Sequence, residues 1–148
     1  MPVAIERLGE SPTSALGALV AESEAHGLLF VRRLVDEWTS GANRFDRPGE
    51  ALFVARSGER AAVGVCGLNR DPYATAEVGR VRHLYVLIGH RRAGVGRQLV
   101  ERVVEAARGH FARLRLRTGN PAAARLYESV GFRARTDVAS STHVLDLA

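Results

Sequence analysis

The chain has 148 residues, 46% of them hydrophobic and 25% charged, which suits one folded domain over residues 1–148 with a substantial core. Basic residues number 21 and acidic residues 16, so the formal charge is +5, and every basic residue is an arginine. The single cysteine, Cys66, excludes an intrachain disulfide or a cysteine-clustered metal site, and the five histidines lack zinc-site spacing, so no metal site is expected. No apolar run approaches the roughly 18 residues that cross a membrane, and none follows a positive N-terminus, so a cytoplasmic location away from membranes is expected.

Val3 to Leu8 reads as a first strand. Ser11-Pro12-Thr13-Ser14 then punctuates the chain and caps a helix reaching about His26, with Gly27 as its stop. Val31, Leu34, Val35 and Trp38 share one face of a second helix that ends at Ser40-Gly41. After a polar loop from Asn43 to Glu50, Ala51–Arg56 and Ala61–Leu68 read as a hairpin around Ser57–Arg60. A long strand runs from Glu77 to Val86, followed by a glycine-containing turn and a helix to about Arg108. Leu114–Arg117 is a further strand, Asn120-Pro121 opens a short helix that Gly131 ends, and Phe132–Thr136 with His143–Leu147 reads as a closing hairpin. The order is β-α-α-β-β-β-α-β-α-β-β, a mixed α/β (α+β) domain.

The most informative stretch is Arg91-Arg92-Ala93-Gly94-Val95-Gly96-Arg97, wedged between the apolar strand at Leu84-Tyr85-Val86 and an amphipathic helix. The first N–H groups of a helix lack internal acceptors and carry partial positive charge, so a basic glycine turn there can hold an anion. A dinucleotide fingerprint needs a third glycine, where Leu99 stands, and a P-loop needs a lysine, which the chain lacks.

Arg91-x-x-Gly94-x-Gly96 after Leu84-Tyr85-Val86 resembles the acetyl-CoA signature of the GCN5-related N-acetyltransferase (GNAT) superfamily. A second segment, Asn120-Pro121-Ala122-Ala123-Ala124-Arg125-Leu126-Tyr127-Glu128-Ser129-Val130-Gly131-Phe132, resembles that superfamily's Asn-x-x-Ala-x-x-x-Tyr-x-x-x-Gly-Phe motif, with the alanine at 123 or 124. The match covers about residues 51 to 136. It implies a mostly antiparallel sheet flanked by helices, acetyl-CoA as cosubstrate, and transfer of an acetyl group to a primary amine of a small molecule or peptide.

By resemblance, the backbone of Arg91 to Arg97 seats the CoA pyrophosphate. A strand bulge opens a gap in which the pantetheine arm pairs with Leu84 to Val86. The N–H of Val86 is then placed to polarise the thioester carbonyl. Asn120 and Ala123 border the pantetheine arm. Tyr127 is the candidate general acid for the leaving thiolate; the alternative is a core tyrosine packed with Ala123 and Val130.

The general base is sought at Glu77, with His83 and Asp71 as further candidates. Strict alternation puts Glu77, Val81, His83 and Tyr85 on one strand face and Arg80, Arg82, Leu84 and Val86 on the other, unless a bulge shifts the register. Arg70, Arg80, Arg82 and Arg117 raise an anionic acceptor as an option; the plain alternative is salt bridging with Glu77, Asp71 and Glu50. Trp38, Asn43, Arg44 and Phe45 lie where this superfamily covers its acceptor site, although Trp38 also fits a core position. Cys66, inside an apolar strand, reads as a small buried residue. A non-catalytic acyl-CoA-binding module is the alternative function. A nucleic-acid partner is not expected, because the arginines are dispersed and no aromatic platform accompanies them. Monomer and homodimer both remain open.

Overall fold

The computed structural model describes residues 3–58 and 61–147; Glu59 and Arg60, half of the expected hairpin turn, lie outside the described residues. Among the described residues seven strands form one sheet in the order β1-β2-β3-β4-β5-β7-β6, with β1 at Ala4–Arg7, β2 at Ala51–Arg56, β3 at Ala62–Arg70, β4 at Val78–Val86, β5 at Arg113–Leu116, β6 at Arg133–Ala134 and β7 at His143–Asp146. All pairings are antiparallel except β4 with β5. This is the mixed, mostly antiparallel sheet expected, with helices on both faces.

Three helices, not two, precede β2: α1 at Pro12–Ala15, α2 at Gly17–Ala25 and α3 at Phe30–Ser40. The expected first helix breaks at Leu16, which ends α1 and begins α2. Leu16 is fully buried at the bend, and Gly17 after it has little helix preference of its own. The capping signals hold. Ser11 Oγ accepts the Thr13 N–H, and Asn120 Oδ1 accepts from Ala122 at 2.9 Å and Ala123 at 3.4 Å to open α5, Pro121–Val130. The closing hairpin is shorter than its sequence suggests, since only Arg133 and Ala134 of the first strand pair with β7.

The sheet divides the core in two. On one face α4, Val95–Ala107, buries Val95, Leu99, Val100, Val103 and Val104 against Phe53, Val63, Cys66, Val81 and Val86. On the other, α1 to α3 bury Leu16, Leu19, Val31 and Leu34 against Leu52, Val54, Val65 and Tyr85. Phe45 joins this second cluster, and its ring fits only because Gly67 beneath it has no side chain: a Cβ there would stand 2.5 Å from Phe45 Cε1. Gly67→Ala should therefore cost about 1–3 kcal/mol through overpacking. The check is a lowered urea midpoint at an unchanged slope.

Candidate active site

Two features of β4 build the site. The first is its register. Val65 faces Tyr85, but Gly67 faces Arg82, so β4 carries an extra residue at His83–Leu84. His83 has φ of +61°, an uncommon backbone for a residue with a side chain, and it marks the bulge. Strict alternation fails here as a result. Val81, Leu84 and Val86 pack on the α4 side, whereas Tyr85 joins the core under α1–α3.

The second feature is a gap. β4 pairs with β5 only from Val78 to Arg80, so the strand from Val81 to Val86 has no β5 neighbour. The Leu87 N–H bonds to the Val63 carbonyl at 2.9 Å, on the β3 side. Alternation then turns the N–H and C=O groups of the neighbouring Val86 away from β3 and into the gap. The Val86 carbonyl is met there by Arg91 Nε at 2.8 Å.

Tyr127 of α5 packs in the α4-side core cluster that also holds Val81, Val86 and Cys66. It is buried, its ring meets Phe132 edge-on at 5.7 Å, and its phenol makes no hydrogen bond among the described residues. Burial, with the nearby Cys66 adding to it, pushes the phenol above its ordinary value, so it stays protonated. Burial likewise pushes the Cys66 thiol up to about 12, which leaves it a core residue and no nucleophile.

At the other end of the gap a 3₁₀ turn, Ile88–His90, leads into the basic turn. Arg92 and Gly94 both take positive φ, and Gly94 caps α4 without a side-chain acceptor. The first helical bond runs from Gln98 N–H to the Gly94 carbonyl at 3.0 Å, leaving Val95, Gly96 and Arg97 N–H groups without intrahelical acceptors. A Cβ on Gly96 would lie 3.1 Å from Leu126 Cδ2, so this glycine lets α4 approach α5. Side chains here differ in role. Arg97 turns to Ser129 (3.0 Å) and Glu101 (3.4 Å), while Arg91 lies over the Tyr85 ring at 5.2 Å.

A contact with no sequence signal ties this region to α2. Glu22 Oε1 accepts from Tyr85 Oη at 2.6 Å and from the Ile88 N–H at 2.9 Å. The Tyr85 hydrogen bond chiefly holds the Glu22 carboxyl below its usual range, and burial with the same bond pushes the Tyr85 phenol up to about 12. The partners lie 63 and 66 residues apart in the chain, so only the fold brings them together.

The structure does not bring Glu77 to this site. It is exposed and precedes β4, nine residues before Val86 on an extended strand, about 30 Å away. Its carbonyl holds the Ala112 N–H instead. The expectation of a base at Glu77 is thereby corrected. Asp71 is also engaged: its carboxylate pairs with Arg80 at 3.4 Å and accepts the Tyr73 N–H. Arg80 further donates to the Ser140 carbonyl at 2.7 Å, and Arg70 and Arg117 are exposed. Of the four arginines considered, Arg82 alone lies at the bulge. Trp38, Asn43, Arg44 and Phe45 wrap this side. Arg44 bonds the Trp38 carbonyl, the Asn43 and Asn69 amides exchange hydrogen bonds, and Phe45 meets the His83 ring at 6.1 Å.

His83 itself is held neutral. Burial, then the charges of Arg82 and Arg33, push its imidazole down to about 3. Above pH 6.5 the ring is neutral in both folded and unfolded chains and adds no pH dependence. Below it the unfolded chain binds a proton that the folded site refuses until about pH 3. Stability is therefore lost as pH falls through this window, by up to about 1.4 kcal/mol per pH unit. His83→Asn, which tolerates the left-handed backbone, should flatten that slope in urea midpoints compared at pH 7 and 4.5.

Among the described residues no helix is long and apolar enough to cross a membrane, and no His, Cys, Asp and Glu group could hold a metal. Residues 48–134 match the model of the acetyltransferase (GNAT) domain family. The N-alpha-acetyltransferase RimI of Mycobacterium tuberculosis is 35% identical over 102 residues, 66% of this chain and 63% of that protein; the match thus spans less than two thirds of this relative. A candidate acetyltransferase from Exiguobacterium sp. 255-15 superposes with a TM-score of 0.88 at 30% identity, over 99% of this chain and 94% of its own. YncA of Salmonella typhimurium, solved with acetyl-CoA, shares the fold with a TM-score of 0.73 at 16% identity, over 100% of this chain and 95% of its own. The matched core, with its bulged β4, open gap and glycine turn, places this chain in the GNAT acetyltransferase family.

Proposed function

We propose that the protein transfers the acetyl group of acetyl-CoA to a primary amine by direct attack. The observation that supports this reading is the gap beside β4, which runs on to an open helix start, with the buried, protonated Tyr127 phenol in the same core cluster as Val86. Acetyl-CoA supplies the activated thioester. The N–H groups of Val95, Gly96 and Arg97, with the charge of Arg92 and the outer nitrogens of Arg91, hold the pyrophosphate in the Ala93–Gly94 turn. Leu84 to Val86 pair with the pantetheine arm, and Asn120 and Ala123 border it.

Val86 N–H donates to the carbonyl oxygen as negative charge builds on it. The amine nitrogen forms its bond to the acetyl carbon as the carbon–sulfur bond breaks. Tyr127 gives its proton to the departing sulfur. The proton shed by the new amide nitrogen returns through solvent to the Tyr127 phenolate, so the phenol is restored and amine plus thioester give amide plus CoA thiol. The name of the mycobacterial relative makes a peptide N-terminal amine one acceptor worth assaying.

Tyr127→Phe should lower kcat about 10²-fold or more while the Kd for CoA changes less than twofold. Unchanged turnover would remove Tyr127 from the chemistry. Stoichiometric loss of thioester with amine separates this enzyme from a binding module, which would take up CoA and consume none.

A further inference from the structure

On the α3 side of the β4 bulge lies a set of polar groups without partners. His83 Nε2 and Glu37 Oε1 are buried and make no hydrogen bond among the described residues. The exposed Arg33 and half-buried Arg82 guanidinium groups have no protein ion-pair or hydrogen-bond partner among those residues. A buried polar atom such as His83 Nε2 is costly to leave unsatisfied, and the charges of Arg82 and Arg33 near it suit a polar, anionic ligand.

Helix geometry puts the α3 members on one stripe facing β4. Phe30, Arg33 and Glu37 stand at i, i+3 and i+7 on α3 and share a stripe. The Phe30 ring meets Tyr85 at 5.9 Å, and one turn later Arg33 lies near enough to His83 for its charge to oppose protonation. The stripe thus runs antiparallel to β4. Glu37 lies about 6 Å further along the helix from Arg33, away from the Phe30–Tyr85 contact. The Phe45 ring, edge-on to His83, bounds the slot.

We propose that this slot is the acceptor site and that it takes an amine that also carries a carboxylate. Arg33 and Arg82 hold the carboxylate, while His83 Nε2 accepts a hydrogen bond from an N–H of the amine. Glu37 Oε1 is the second acceptor available to that amine. Two arginines against one glutamate leave the slot positive, so a second ammonium is repelled and an uncharged tail leaves the guanidinium groups unpaired. The assignment rests on the acetyl transfer proposed above.

The test uses the intact chain at saturating acetyl-CoA with three amines of matched length: 4-aminobutyrate, butylamine and 1,4-diaminobutane. The expected result is a kcat/KM at least tenfold higher for 4-aminobutyrate. Arg82→Gln and Arg33→Gln should each reduce that preference below threefold, through the KM of the amine, with the KM of acetyl-CoA changed less than twofold. Arg82→Lys should restore part of the preference, which a purely structural role would not do. Equal or better use of butylamine or the diamine overturns the assignment, as does an equal loss for all three amines in both variants. Absence of thioester consumption with every amine, while acetyl-CoA still binds, overturns the acetyl-transfer reading and this assignment with it.

Discussion

An antiparallel ladder holds only while each residue of one strand faces one of its neighbour, and at His83 β4 carries one residue too many. The extra residue reverses which side chains face which layer. Val81, Leu84 and Val86 turn to α4, while Tyr85 turns to the N-terminal helices. Beyond Arg80 the strand also parts from β5, and the polar edge left behind is what a pantetheine arm can pair with. The bulge and this parting together shape the site.

The end of β4 is fixed from two sides. Arg91 reaches back to the Val86 carbonyl and covers the Tyr85 ring, while Glu22 of α2 binds the Tyr85 phenol and the Ile88 N–H. The N-terminal helices therefore take part in setting where the strand stops and where α4 starts. A one-sided view of the basic turn as a row of phosphate ligands misses this. Arg91 and Arg97 spend part of their donor capacity on the protein, and the groups still open to an anion are chiefly backbone N–H.

Much of the architecture was legible because its signals are local. Ser11, Asn120 and Gly131 act within a turn of their own helices, and the apolar periods of α3 and α4 report one buried face each. The break at Leu16 was not legible, because it depends on where that leucine finds its cavity. The short β6 likewise depends on how much of β7 its neighbours leave uncovered. Within the site, the glycine turn and Tyr127 stood out by motif, whereas Glu22, Arg33 and Glu37 carry no local pattern at all.

Glu77 and His83 show the division most clearly. Both are titratable residues on or beside one strand, and residue type alone favoured the carboxylate. The strand's length then set Glu77 at the far end, on the surface, while the bulge put His83 against Phe45 and Arg82 and burial removed its charge. By itself the sequence determined the elements, their order, the family signature and the open helix start, since those rest on neighbouring residues and backbone groups. The tertiary structure alone decided the strand register, the width of the gap and the company each charged side chain keeps, because those depend on contacts between residues far apart in the chain.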